Sequence, residues 1–232
     1  MSSFALQPHQ RLTLLRREFA VIDGFLTDKN FAFLQRGLSR LEFRTVGSDY
    51  IPGGAAWSLE DQRPMESRPY QSTMPRGNAD PITVAMGLFI DAMEGLSDVV
   101  GDVCGLSPEG AKTYSVRSYL YPQAVSLNWH SDARKGGAFT FYYHERWHRK
   151  WGGELLVASP ELHPAAGAEE RSDGDLPEPS EDDDGYMLRP LSNRLVIVRA
   201  GAAHKIAPVS RAAGSHVRRS LTGFFGTENK TS

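Results

Sequence analysis

Apolar and polar positions follow two different rhythms along this chain, helical in the first half and alternating in the second. Residues 19–26 form an apolar, strand-like run that ends in a turn. Thr27 or Asp28 then offers a side-chain oxygen to the free N–H groups of a helix start. From Lys29 to Leu41, Phe31, Phe33, Leu34, Leu38 and Leu41 recur at helical spacing. Asp80-Pro81 opens a second helix, since proline at the first helical position gives up no needed donor, and the apolar stripe continues through Val84, Met86, Leu88, Phe89, Ala92, Met93 and Leu96. From Thr113 onward the period falls to two. Strands are expected over residues 113–121, 125–129, 138–143, 154–157, 194–199, 204–208 and 217–225. Short strands parted by turn residues indicate a mainly β fold with flanking helices (α+β), its core a sandwich or jelly roll.

These elements fit one domain over residues 1–232, with helical support and a lid region in 1–112 and the β core in 113–227. Residues 46–76, rich in Gly, Pro and Ser, are expected at a rim or mouth. The stretch 164–185 has acids, Pro, Gly and Ser but no core-forming residues, and reads as a solvated insert between strands.

Composition narrows the function classes. Hydrophobic residues at 40% and charged ones at 23% are ordinary for a soluble protein. No apolar run reaches the roughly 20 residues that span a bilayer. The first 17 residues lack the pattern of a secretory leader, so the expected compartment is the cytoplasm. The single cysteine, Cys104, excludes an internal disulfide and a thiol cluster, and reads as a small buried hydrophobe. The net charge of -2 hides an asymmetry: residues 161–187 hold ten acids and one base, which leaves the remainder seven positive. That surplus makes an anionic small-molecule substrate one option. No basic-aromatic patch points to nucleic acid.

The candidate chemistry begins at His130-Ser131-Asp132, where an extended backbone sends an imidazole and a carboxylate to one side. His204 follows at the start of a strand. Two histidines and one carboxylate are the donor set of non-haem iron(II) oxygenases, which leaves coordination positions open. His144 and His148 are four apart, but no third ligand accompanies them. Gly152-Gly153 is followed by neither a lysine nor a helix start, so it suits a bend or close approach rather than a phosphate loop.

Several ordered blocks surround these residues: Tyr121-Pro122, Trp129-His130-Ser131-Asp132, Tyr142 to Trp147, Trp151-Gly152-Gly153-Glu154-Leu155, Asn193 to Val198, His204 to Val209 and Arg218 to Phe225. In this order they resemble the prolyl-4-hydroxylase-like branch of the 2-oxoglutarate/iron(II) oxygenase family. The resemblance implies a double-stranded β-helix, the cupin-like jelly roll. It implies iron(II) on His130, Asp132 and His204, with 2-oxoglutarate and O2 as cosubstrates and ascorbate as a supporting reductant. Arg218 is the implied anchor for the distal carboxylate, with Thr222, Tyr142 and Tyr121 beside it. Arg219, Tyr143 and Tyr119 are the neighbours that a slip of register would select instead. The implied reaction hydroxylates an unactivated C–H bond and releases succinate and CO2. A small molecule such as an amino acid is the first substrate class, a residue within a protein the second. A β-barrel module that binds without catalysis is the third reading.

Overall fold

A computed structural model of the protein describes residues 4–46, 57–58, 63–73, 80–112, 114–159 and 185–226. The chain opens with a hairpin, β1 (Arg11–Leu15) and β2 (Phe19–Asp23), followed by helix α1 (Asp28–Leu38). Four two-residue strands come next: β3 (Arg44–Thr45), β4 (Trp57–Ser58), β5 (Met65–Glu66) and β6 (Tyr70–Gln71). Helices α2 (Pro81–Glu94), α3 (Ser97–Cys104) and α4 (Pro108–Lys112) precede the main strands. These are β7 (Tyr114–Tyr121), β8 (Ser126–His130), β9 (Gly137–Tyr142), β10 (Leu155–Ala158), β11 (Gly185–Leu188), β12 (Arg194–Arg199), β13 (His204–Ile206) and β14 (Arg218–Phe225).

Two antiparallel sheets result. The larger runs β1-β2-β12-β9-β14-β7-β5-β3, with β6 also paired to β7; the smaller runs β11-β10-β13-β8-β4. This is the jelly-roll architecture expected from the strand spacing. Alternation along β14 explains how the larger sheet serves two cores. Leu221 and Phe225 join Phe89, Phe139, Phe141 and Leu34 in a cluster beneath the helices. Tyr121, Tyr142, Val157, Val196 and Ile206 form a second cluster between the sheets. All six residues of β9 are buried, because that strand is covered on both faces.

Capping accounts for the helix starts. Thr27 accepts from the Asn30 N–H, and Asp80 accepts from the N–H groups of Ile82 and Thr83. The helix ends differ from expectation. Helix α1 stops at Leu38 rather than 41, with Ser39 as its cap. Here Gly37 is pressed against α2: a Cβ added to it would overlap the Ala85 methyl and stand 2.9 Å from the Pro81 carbonyl. Helix α2 ends at Glu94, and the apolar stripe taken to continue to Leu96 instead turns at Gly95 into the separate helix α3. Cys104 is the last residue of α3, buried and free.

The hairpin strand β1, the strand β11 and the small strands β3–β6 were not expected from alternation. Gly185, the last residue of the acidic stretch, begins β11; residues 164–184 lie outside the described residues. Parts of 46–76 that read as rim are paired strands. Strand β2 is locked to β12 by Arg194, whose Nε and Nη2 donate to the two Asp23 carboxylate oxygens at 2.6 and 2.9 Å. Burial works to raise the Asp23 pKa, but the hydrogen bonds from Arg194 and Thr13 outweigh it and hold the carboxyl below its ordinary range. Among the described residues, no helix is long and apolar enough to cross a membrane.

Candidate active site

His130 ends β8 and His204 begins β13, and the two are cross-strand partners in the smaller sheet. Pairing therefore brings their rings to 4.2 Å between centroids although 74 residues of sequence separate them. Asp132 lies just past β8, with Oδ2 3.4 Å from Nε2 of His204. One ligand atom from each of the three residues lies within 4.8 Å of the other two. Among the described residues no other such group of three is present.

The tautomers suit a cation. Nδ1 of His130 is 2.8 Å from the Asn128 carbonyl, and Nδ1 of His204 is 2.8 Å from the Ala202 carbonyl. Each Nδ1 donates its proton to that carbonyl, which leaves Nε2 with a lone pair directed into the cluster. Burial, with the neighbouring His204, pushes the His130 pKa down to about 4, so its imidazole is neutral at pH 7. At Asp132 burial acts to raise the pKa, but His204 and, more weakly, His130 and Lys135 outweigh it and keep the carboxylate ionised. His204 itself is raised: burial disfavours its charge, and the Asp132 carboxylate more than compensates. Two imidazoles and an ionised carboxylate are a donor set that fits a divalent transition metal.

The wall facing this cluster belongs to the larger sheet. Arg218, the first residue of β14, is 0% exposed. Its guanidinium lies between two aromatic rings, 4.7 Å from the Tyr121 centroid and 4.9 Å from that of Tyr142. Nε donates to the Gly153 carbonyl at 3.0 Å, Nη2 to the Tyr142 hydroxyl at 3.3 Å and Nη1 to Ser220 Oγ at 3.4 Å. No carboxylate among the described residues pairs with it. A buried charge is costly without a counter-charge. The arrangement therefore fits a small anion received by a planar fork of donors.

Arg219 points the other way and is exposed. Tyr143 also faces away, beneath the helices, its hydroxyl 2.6 Å from Ser118 Oγ. Of the alternatives that a register slip would select, only Tyr119 shares the inter-sheet side. Thr222 lies on the Arg218 face, with Oγ1 3.4 Å from Oγ1 of Thr140.

The tandem glycines build the floor. Gly152 and Gly153 have φ of +68° and +72°, and a Cβ on Gly152 would run into the Pro208 carbonyl. That close turn lets the Gly152 carbonyl accept from Trp147 Nε1 at 2.8 Å while the next carbonyl accepts from Arg218. His144 is no metal ligand: Nε2 meets the Pro190 carbonyl at 2.7 Å and Nδ1 accepts from the Arg219 N–H at 3.4 Å.

Two residues on the inter-sheet side escaped the sequence reading. Arg117 shares a face with Tyr119 and Tyr121 by alternation, and Glu66 pairs opposite Tyr119. The period-two pattern of 113–121 carried the signal for Arg117. Glu66 had none, because it lies in a segment that reads as loop.

Residues 115–226 match the family model of the 2OG-Fe(II) oxygenase superfamily. No curated protein matches the sequence. Among solved structures, a Pseudomonas putida prolyl-4-hydroxylase is similar at 18% identity and TM-score 0.56, over 91% of this chain and 94% of the other. A Trichoplax adhaerens prolyl hydroxylase, solved with a hypoxia inducible factor oxygen degradation domain peptide fragment, is similar at 12% identity and TM-score 0.58, over 90% and 84%. The epimerase SnoN from nogalamycin biosynthesis, described as non-heme and alpha ketoglutarate dependent, is similar at 13% identity and TM-score 0.55, over 90% and 78%. At these identities the likeness is one of fold.

Proposed function

Because this chain belongs to the 2OG-Fe(II) oxygenase superfamily through residues 115–226, we propose that His130, Asp132 and His204 hold its iron(II) and that it hydroxylates a C–H bond of a small molecule. The observation that carries this reading is the cluster of three ligand atoms with both histidine Nδ1 atoms tied to carbonyls. When bound, iron(II) with 2-oxoglutarate and O2 supplies the oxidising chemistry, with succinate and CO2 as coproducts.

The chain's own residues bind, orient and keep out water. The Asn128 and Ala202 carbonyls fix the ring orientations of the two histidines, so their Nε2 atoms need no rearrangement on binding a cation. Arg218 receives the distal carboxylate of 2-oxoglutarate, the Tyr142 hydroxyl supports it, and Tyr121 closes the other face of the guanidinium. Thr222 extends the same wall. The apolar cluster between the sheets, including Val157, Val196 and Ile206, keeps water from the inner end. The intact Asp132 carboxylate fills a coordination position, which favours hydroxylation over chemistry that needs an added anion on the metal.

A second reading, hydroxylation of a residue within a protein, is favoured by the likeness to two prolyl hydroxylases, one of them solved with a peptide. The small-molecule reading draws on the charged side chains gathered between the sheets and on the likeness to SnoN, solved with Fe3+, alpha ketoglutarate and nogalamycin RO. Succinate formation by the purified protein with iron(II), ascorbate and 2-oxoglutarate, beside an Asp132→Ala variant, tests the common core. Turnover that the variant loses is the expected result. Equal turnover in both, or no 2-oxoglutarate binding at all, refutes the site. A panel of peptides and metabolites then separates the two substrate classes.

A further inference from the structure

We propose that Arg117, held by Glu66 and assisted by Lys135, recognises a carboxylate on the substrate, so that the substrate is a small organic acid; this rests on the active-site reading above. Strand β7 presents Tyr121, Tyr119 and Arg117 to one side by alternation. Tyr121 fixes that side as the inner one, since its ring covers Arg218. Arg117 is moreover the cross-strand partner of Thr222, which lies on the same face as Arg218. A line along this wall therefore runs from the buried Arg218 outward to Arg117.

Glu66 reaches the same side from β5. It is 2% exposed and accepts at 2.6 Å from Nη1 of Arg117 through one oxygen and at 2.6 Å from Nη2 of Arg44 through the other. One arginine would neutralise this carboxylate. Two leave the group with a net charge of +1, and Arg117 is itself only 20% exposed. Packing alone does not call for a surplus cation on the inner face of a sheet, where a threonine or valine serves as well. Glu66 instead acts as a positioning residue that fixes the direction of the guanidinium.

Lys135 approaches from the other side. It stands three residues after Asp132, and its N–H donates to the Asp132 carbonyl at 3.0 Å. Its ammonium lies 5.7 Å from the ring centroid of Phe224, the residue that follows Thr222 on the inner face of β14. Two cations thus flank the space between Thr222 and the three candidate ligands. A carboxylate suits that space, because a planar fork matches its two oxygens and a lysine adds a point charge. Such a contact would hold one end of the substrate while the candidate metal centre faces another part of it.

Binding rather than turnover tests the idea. Full-length protein with iron(II) and saturating 2-oxoglutarate under nitrogen is titrated calorimetrically with the standard amino acids and with short aliphatic and aromatic carboxylic acids, each beside its primary amide. We expect at least one acid to bind and its amide to bind about tenfold more weakly or worse. Arg117→Gln and Lys135→Gln should each weaken that acid by about 10- to 100-fold, with the affinity for 2-oxoglutarate within about twofold of wild type. The double variant Glu66→Gln/Arg117→Gln removes both buried charges together, and thermal melting checks that it folds; it should discriminate acids from amides no better than Arg117→Gln alone. Amides binding as well as acids, acids surviving Arg117→Gln, phosphate monoesters binding in place of acids, or no acid binding at all would each overturn the proposal. Absence of 2-oxoglutarate binding to the wild type would be a different failure, that of the active-site reading itself.

Discussion

Replacing His144 by glutamine should remove a specific part of the protein's acid sensitivity. The imidazole is 6% exposed and joins three segments, meeting the Pro190 carbonyl through Nε2 and the Arg219 N–H through Nδ1. Burial is the largest influence on it, and with the nearby Arg218 and Arg219 charges it outweighs the backbone hydrogen bonds and pushes the pKa down to about 4. The unfolded chain, with an ordinary value near 6.5, takes up a proton that the folded state refuses. The stabilisation is therefore whole above about pH 6.5 and is lost as the pH falls toward 4. At pH 5 the unfolded imidazole is almost wholly protonated and the folded one about one-tenth so, which costs about 2 kcal/mol of stability. Urea unfolding at pH 7.5 and pH 5.0, with equal metal loading, measures it. Wild type should lose about 2 kcal/mol more than His144→Gln between the two values. His130 is depressed in the same direction, but it is common to both proteins and cancels. Equal losses in the two proteins would show that the folded imidazole protonates freely and would refute the argument.

Three further outcomes follow from other residues. Arg218→Lys keeps the charge but not the planar fork, so calorimetry should find 2-oxoglutarate bound about 10- to 100-fold more weakly; unchanged affinity would move the anchor elsewhere. Burial pushes the Cys104 thiol up to about 12, so at pH 8 it should react with a thiol reagent only as fast as the protein unfolds; prompt labelling of folded protein would contradict this. Gly223→Ala should destabilise the protein by about 1–3 kcal/mol in urea, because the new Cβ would meet the Ser115 carbonyl and stand 2.6 Å from Phe139 Cζ; a neutral effect would mean that β7 and Phe139 yield easily.

The parts of the fold that were legible are those with a repeating reason for their residues. Strand β12 matches its expected bounds, and β7, β8, β9, β10 and β14 differ by about a residue, because each alternates between two cores or lies buried between them. Asp80 and Thr27 are read correctly as caps, since capping is a local interaction. Strand β11 was lost because only four residues at the edge of an acidic stretch define it. The split between α2 and α3 was lost because the apolar stripe runs through Gly95 without a change of composition. The site followed the same division. His130, Asp132 and His204 stand in an ordered pattern, and alternation alone separated Arg218 from Arg219. Glu66 depends on a two-residue strand, β5, whose place is set by pairing with β7 and by nothing in its own sequence.

The distribution of buried charge argues that the space between the sheets was selected for binding and not for packing. Beneath the helices, the larger sheet presents Phe139, Phe141, Leu221 and Phe225, and its buried polar contacts there are between neutral groups such as Ser118 and Tyr143. On the opposite face of the same strands lie Arg218, wholly buried without a carboxylate partner, and Arg117, in a cluster with one cation too many. The strands, backbone twist and register are common to both faces, so topology cannot account for the difference. Desolvating an unbalanced arginine works against folding, and the cost is recovered only when an anion arrives. Two such places on one wall imply two anionic groups bound together opposite His130, Asp132 and His204. One is the distal carboxylate of 2-oxoglutarate at Arg218; the other, at Arg117, is the end by which the substrate is held.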